Sequence, residues 1–217
     1  MSILFWRKKE IPWPETPFDE IKKRARLLVI DDESFIYLDL FKKHGYSIDQ
    51  WVDVDDLSRI EHGGFDLILL DVQGVGKRLS PTEQGLGLLR HIRAVNPAQI
   101  VIAFSGSDYS LKYQDFFKLA DATLPKSADY VDFQRQVDDL LRARFSMGFY
   151  VGRIAAAAQV SASDRQRLDK EATDAITTRN PHSLRKFLFE KVMNKDNVEI
   201  AIKILKVGIE VADKWQK

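Results

Sequence analysis

The chain has 217 residues, of which 45% are hydrophobic and 30% charged, enough for one domain of ordinary size and a smaller region. It contains no cysteine, which excludes disulfides and thiolate metal sites and fits a reducing compartment. Nowhere do about 18 uncharged apolar residues run together, so we predict no membrane span and a cytoplasmic protein.

The net charge of +1 is unevenly distributed along the chain. Residues 1–143 carry 19 basic and 23 acidic side chains, whereas residues 144–217 carry 14 and 9. A basic excess of this size is typical of a solvated helical surface. We therefore do not predict a nucleic-acid partner.

An N-terminal extension is predicted over residues 1–25, because its prolines prevent a regular helix or central strand before about Phe18. From residue 26 to 144, short apolar runs alternate with amphipathic segments. The runs predict strands at 26–31, 47–54, 65–71, 100–104 and 122–124. The amphipathic segments predict helices at 34–43, 56–61, 85–95, around 113–119 and at 129–144. This alternation predicts a doubly wound parallel α/β sheet of five strands.

The segment 145–217 has the periodicity of helices alone, predicted at 153–160, 163–177, 182–193 and 197–215. The last helix carries two apolar stripes, one through Val198 and Leu205 and one through Ile204 and Val211. Two stripes predict burial against the helix's own domain and against a second surface. We therefore predict a helical association module, as a homodimer or with a helical protein partner.

Charged and hydroxyl side chains follow the predicted strands of residues 26–144. Asp31 ends the first strand and Asp32 follows it, Asp71 ends the third, Ser105 follows the fourth and Lys126 follows the fifth. The carboxyl ends of parallel strands meet at one edge, where ligands bind in folds of this class. Three carboxylates in one crevice repel each other unless a cation compensates. The pattern thus predicts an acidic pocket that contains a lysine.

These motifs resemble the receiver domain of two-component response regulators over residues 26–144, and segment 87–93 also resembles the third helix of that family. The resemblance implies that Asp71 accepts a phosphoryl group from a sensor histidine kinase or a phosphotransfer protein. It implies a Mg²⁺ ion bound by Asp31, Asp32, Asp71 and the backbone carbonyl of Gln73. It also implies phosphoryl-binding and switch roles for Ser105, Gly106 and Lys126. A signalling protein of this kind is not itself expected to be an enzyme.

The sequence departs from the family pattern at several positions. Val75 replaces the usual proline four residues after the acceptor, and Thr123 replaces the aromatic residue three positions before the lysine. The loop 72–84 is longer than usual by about half a dozen residues. Gln73 and Ser107 lie where the family tunes its dephosphorylation rate. The resemblance therefore does not imply an aromatic switch.

Two other functions remain open at this point. The pocket could be purely structural in a receiver-like scaffold that is not phosphorylated and acts through protein–protein interaction. Alternatively, residues 145–217 could contain a DNA-binding output, which would make the chain a transcription regulator. A dehalogenase-like phosphatase is disfavoured, because that family needs an acid two residues after its nucleophile and Gln73 cannot deliver a proton.

Overall fold

The computed structural model describes residues 11–106 and 118–215. The chain forms two compact units, one of residues 16–145 and one that combines residues 146–217 with the start of the chain up to Glu15. The predicted domain limits at residues 25 and 144 remain predictions. Within the described ranges, no helix has both the length and the apolar character that a membrane span needs.

The first unit is built around a parallel sheet of five strands in the order β2-β1-β3-β4-β5. β1, β3 and β4 are almost wholly buried, which is why their sequences are continuous apolar runs without alternation. This order is that of the flavodoxin-like doubly wound fold, so the predicted fold class is confirmed. The strands are β1 Arg26–Ile30, β2 Ser47–Trp51, β3 Leu67–Asp71, β4 Ile100–Ser105 and β5 Ala122–Pro125.

Helices accompany these strands as the alternating pattern predicts. The helix from Gly85 to Val95 has its predicted limits, because Asn96-Pro97 cannot continue it. The helix predicted around 113–119 falls mostly outside the described residues. The described helices of this unit are α1 Phe18–Arg24, α2 Leu38–Lys43, α3 Ser58–Glu61, α4 Gly85–Val95 and α5 Tyr130–Arg144.

Helix α2 begins four residues later than predicted. The side chain of Gln50, on β2, accepts a hydrogen bond from the Phe35 backbone N–H (3.1 Å) and donates one to the Glu33 carbonyl (2.6 Å). These bonds satisfy backbone groups that a first helical turn would otherwise have to satisfy. A long-range side-chain contact therefore replaces the predicted start of the helix.

Strands two and three are also shorter than predicted. The predicted strand 47–54 ends at Trp51, since the Asp53 side chain accepts a hydrogen bond from the Val54 N–H at 2.7 Å. The same carboxylate accepts a bond from the Gly76 N–H, in the segment between β3 and α4. Asp53 thus turns the chain and anchors that segment.

A buried ion pair lies at the sheet edge where β3 begins. Arg144 donates to the Asp66 carboxylate at 3.2 Å and to the Ala98 carbonyl at 3.3 Å. The other Asp66 oxygen accepts from the Arg26 N–H at 3.0 Å. Asp66 and Arg144 are 3% and 4% exposed, so the hydrogen bonds compensate charges that would be costly alone.

The second unit is helical, as predicted. Ser146 and Ser161 cap the starts of its first two helices by accepting backbone N–H bonds. Trp13 packs against Tyr150, with ring centroids 5.5 Å apart, and the Ile11 N–H donates to the Thr177 carbonyl at 2.9 Å. The helices are α6 Met147–Ala158, α7 Ala162–Thr178, α8 His182–Lys191 and α9 Lys195–Trp215.

The two apolar stripes of α9 are both largely buried within the chain. In the second stripe, Ile204, Val211 and Trp215 are buried, and Ile200 is 37% exposed. The argument for a second copy required this stripe to face outward, so that argument loses most of its support. Homodimerisation through residues 145–217 stays a prediction.

Candidate functional site

The predicted site residues lie at the carboxyl ends of the strands. The backbone hydrogen bonds between neighbouring strands continue into these residues and fix their positions. The N–H of Asp31, directly after β1, donates to the Trp51 carbonyl at 3.1 Å. Asp71 ends β3 beside Phe104 of β4. The N–H of Lys126, directly after β5, donates to the Ser105 carbonyl at 2.8 Å. The local backbone is therefore as regular as the sheet itself.

Three carboxylates meet at this edge. One oxygen each from Asp31, Asp32 and Asp71 lies within 4.8 Å of the others. Asp31 and Asp71 are 3% and 2% exposed, whereas Asp32 is exposed. Mg²⁺ prefers oxygen ligands, keeps several waters, and is usually bound through one or two carboxylates. The donor set, with its one solvent-facing acid, therefore fits this ion.

Lys126 is the cation at the centre of the pocket. Its Nζ lies 2.9 Å from Asp71, 3.0 Å from Asp31 and 3.3 Å from Glu33. Burial lowers the pKa of Lys126, but hydrogen bonds and charge attraction from Asp71 and Asp31 outweigh it and raise the pKa well above its ordinary value. Lys126 is therefore charged at neutral pH.

For Asp71, the effect of burial on the pKa prevails over that of its hydrogen bonds and ion pair. Burial raises its pKa, and the hydrogen bonds from Lys126 and from the Gln73 N–H (3.2 Å) offset only part of that effect. The net pKa lies above the ordinary value of an aspartate. Asp71 is thus a carboxylate whose charged form is costly and whose two oxygens are each held by a donor.

Glycine is favoured at two positions around the carboxylates. A Cβ on Gly74, which has φ +86°, would lie 2.1 Å from Asp32 Oδ1. A Cβ on Gly85 would lie 2.3 Å from the Asp71 carbonyl oxygen. The Gly85 contact is with backbone and cannot relax, and the φ of Gly74 is one that residues with a Cβ rarely adopt, so both positions favour glycine.

Gln84 fixes this arrangement at a cost in backbone strain. Its side-chain oxygen accepts a hydrogen bond from the Gly74 N–H at 3.0 Å. Its backbone has φ 51° and ψ −125°, the conformation of the first central residue of a type II′ turn, where glycine is favoured. Strain of this kind costs about 1–3 kcal/mol and is concentrated at functional sites.

A cavity of about 490 Å³ opens over these groups. A water molecule occupies about 30 Å³ in the liquid, so the cavity has room for a hydrated ion and a phosphoryl group together. Its lining is mostly polar, and it consists of Asp32, Glu33, Asp71, Gln73, Gly74, Lys77, Gln84, Gly106 and Lys126.

The remaining predicted residues differ in their positions. Ser105 is 5% exposed, whereas Gly106 is exposed and lines the cavity. A Cβ on Gly106 would lie 3.6 Å from Lys126, an ordinary contact, so space alone does not require glycine there. Gln73 presents its N–H to Asp71, and the predicted role of its carbonyl stays a prediction. Ser107 lies outside the described residues.

Sequence reasoning did not identify three residues of the pocket. Glu33 directly follows the acidic pair, and its position alone could have drawn attention to it. Lys77 stands out in the sequence only as part of an exposed basic pair with Arg78. Gln84 carries no sequence signal, since its role depends on the folded path of the loop that returns it to Gly74.

No protein-family model matches the chain, and no curated protein matches it. Solved structures do. A CheY-like response regulator receiver domain protein from Methanospirillum hungatei JF-1 is 25% identical, covering 55% of this chain and 95% of that one, with a TM-score of 0.46. Response regulator TrrA from Thermotoga maritima, in complex with Mg²⁺-BeF, is 25% identical over 54% of this chain and 98% of its own, with a TM-score of 0.43.

The receiver domain of Francisella response regulator 1452 is 23% identical, covering 55% of this chain and 98% of that domain, with a TM-score of 0.46. Each likeness thus takes in slightly more than half of this chain and nearly all of the other. Over this part of its length the chain is similar to response regulator receiver domains, the family that the sequence motifs resemble. This is a resemblance of fold and agrees with the sheet order.

Proposed function

We propose that the chain is a response regulator whose Asp71 accepts a phosphoryl group from a sensor histidine kinase or a phosphotransfer protein in a Mg²⁺-dependent reaction. One observation carries this proposal. Asp71 is buried, lies 2.9 Å from the Lys126 ammonium and within 4.8 Å of two further carboxylates, and borders a polar cavity. A buried acid in such a setting is a candidate nucleophile.

In the proposed step, a carboxylate oxygen of Asp71 attacks the phosphorus of a phosphohistidine. A P–O bond forms, the P–N bond breaks, and its electron pair returns to the imidazole nitrogen of the donor. The product is an acyl phosphate on Asp71. Mg²⁺, when bound, neutralises the developing negative charge on the transferred group.

The chain's own residues would stabilise the negative charge of Asp71 before the transfer and that of the phosphoryl group after it. Lys126 opposes the effect of burial on the pKa of Asp71 and so favours the ionised nucleophile at neutral pH. Once Asp71 is phosphorylated, Lys126 would turn to a phosphoryl oxygen as a point charge. Ser105 and the Gly106 backbone would contact other phosphoryl oxygens. Asp31, Asp32, Asp71 and the Gln73 carbonyl are the proposed ligands of the ion.

The test is incubation with Mg²⁺ and a small phosphodonor such as acetyl phosphate, followed by intact-mass measurement. We expect the wild-type protein to gain one phosphate, Asp71→Asn to gain none, and chelation of Mg²⁺ to abolish the gain. Asp49→Asn, at an exposed position on β2, makes the same chemical change away from the site and should gain phosphate normally.

A wild-type protein that stays unmodified with Mg²⁺ and a competent donor would contradict the proposal. That result would favour the receiver-like scaffold, in which Lys126 neutralises the pocket permanently and no phosphoryl group is accepted. Phosphate uptake by Asp71→Asn as large as that of the wild type would contradict the assignment of the acceptor.

A further inference from the structure

The segment between β3 and α4 brings a second lysine to the acidic pocket. Lys77 Nζ lies 3.6 Å from Asp32 Oδ2, and the side chain lines the cavity. The two side chains are 56% and 41% exposed, so the pair faces water. This lysine lies within loop 72–84, in the segment that follows the glycines Gly74 and Gly76.

The loop is anchored on both sides of Lys77. Before it, the Gly76 N–H donates to Asp53 and the Gly74 N–H donates to the Gln84 side chain. After it, the Ser80 N–H donates to the Gly76 carbonyl at 2.8 Å and closes a turn around the lysine. The position of Lys77 over Asp32 is therefore a property of the folded loop and not of one lysine side chain alone.

Each of the three carboxylates contacts one of the two lysines. Lys126 contacts Asp31 and Asp71, the two buried acids, whereas Lys77 contacts Asp32, the exposed one. Asp32 is the acid through which a divalent ion from solution has its most direct approach. The protein therefore places a cation of its own beside the most exposed carboxylate of the cluster.

We infer that Lys77 competes with the divalent cation for Asp32 and lowers the affinity of the pocket for Mg²⁺. An ion that binds Asp32 meets the like charge of the lysine ammonium, 3.6 Å from Oδ2, and binds at full strength only when the lysine moves away into solvent. Because the pair is exposed, its contribution is modest, and removing Lys77 should tighten Mg²⁺ binding about two- to fivefold. This inference rests on the Mg²⁺ site of the proposed function.

Arg78 provides a matched control one residue away. Lys77→Gln and Arg78→Gln remove the same charge from the same loop, but Arg78 contacts Asp55 instead of the pocket. Mg²⁺ titration by isothermal calorimetry on the full chain, at fixed ionic strength, gives the Kd of each protein without any phosphoryl transfer. Circular dichroism spectra check that both variants are folded.

We expect Lys77→Gln to bind Mg²⁺ two- to fivefold more tightly than the wild type, and Arg78→Gln to remain close to it. An equal change in Kd in both variants would overturn the inference, since it would reflect the overall positive charge of the loop and not the contact between Lys77 and Asp32. An unchanged or weakened affinity in Lys77→Gln would overturn it too, as would calorimetry that detects no Mg²⁺ binding in any of the three proteins.

The phosphodonor experiment separates this inference from the proposed function. If the wild type gains phosphate on Asp71 while Lys77→Gln keeps the wild-type Kd, the inference fails and the proposed function stands. If Lys77→Gln binds Mg²⁺ more tightly while neither protein gains phosphate, the inference stands and the proposed function fails.

Discussion

Replacing Lys126 with methionine removes the cation within 3.0 Å of both Asp71 and Asp31 and keeps the length of the side chain. Removing one partner of a buried ion pair costs about 3–5 kcal/mol, because the other charge is left without compensation. Lys126 is 24% exposed, so water screens part of this loss. We expect the free energy of unfolding to fall by about 2–3 kcal/mol in Mg²⁺-free buffer, which corresponds to about 5–10 °C in Tm.

The loss in free energy of unfolding caused by Lys126→Met should depend on pH. A carboxyl whose folded-state pKa is raised contributes stability fully below its unfolded pKa of about 3.9, and that stability is lost as the pH rises through the folded value. Without Lys126, the pKa of Asp71 rises further. The variant should therefore approach the wild type at low pH and fall behind it as the pH rises toward neutrality.

Urea denaturation across this pH range measures the deficit, with Lys43→Met on the exposed end of α2 as the control. Adding Mg²⁺ should narrow the gap, since the ion supplies the missing positive charge. Adding Asp71→Asn to the variant should also restore part of the stability, because one uncompensated carboxylate is removed. Wild-type stability in Lys126→Met at neutral pH, without Mg²⁺, would refute this electrostatic reasoning.

Two further predictions concern the loop and the helical unit. Gln84→Ala keeps the strained backbone and loses the bond to Gly74, whereas Gln84→Gly loses the bond but relieves the strain. We expect the glycine variant to be the more stable by about 1 kcal/mol or more in urea denaturation, and the reverse order would show that no strain is stored there. The burial of α9 leaves Phe189, 66% exposed on α8, as a large exposed apolar side chain through which a dimer would form; light scattering should then give twice the monomer mass, and Phe189→Ser should shift it toward monomer. A monomeric wild type at tens of micromolar would contradict this prediction.

The parts of the fold that follow from sequence are those whose signals are local. Buried apolar runs predict β1, β3 and β4, because strands covered on both faces need no polar alternation. The end of α4 follows from Asn96-Pro97, because a proline disfavours the helical conformation in the residue before it. The start of α2 could not be predicted, since Gln50 reaches it from another element and competes with its first turn.

The residues of the candidate site also fall into two groups, those that local sequence predicts and those that only the tertiary structure brings to the pocket. Asp31, Asp71 and Lys126 follow from strand ends, and the sheet order brings them together. Gln84 and Lys77 belong to the long loop, whose path depends on Asp53 and on two glycine contacts that local sequence does not encode. Their proximity to the acids is a property of tertiary structure.

Strand β3 is flanked by a buried acid at each end, and the two are neutralised by different means. Asp71 relies on a lysine with a flexible stem, whereas Asp66 is locked by the planar guanidinium of Arg144, from the last turn of α5. This has a practical consequence for anyone who wishes to study the first unit by itself. A chain truncated before Arg144 would bury Asp66 without its cation. A fragment must therefore end after that arginine to keep the start of β3 intact.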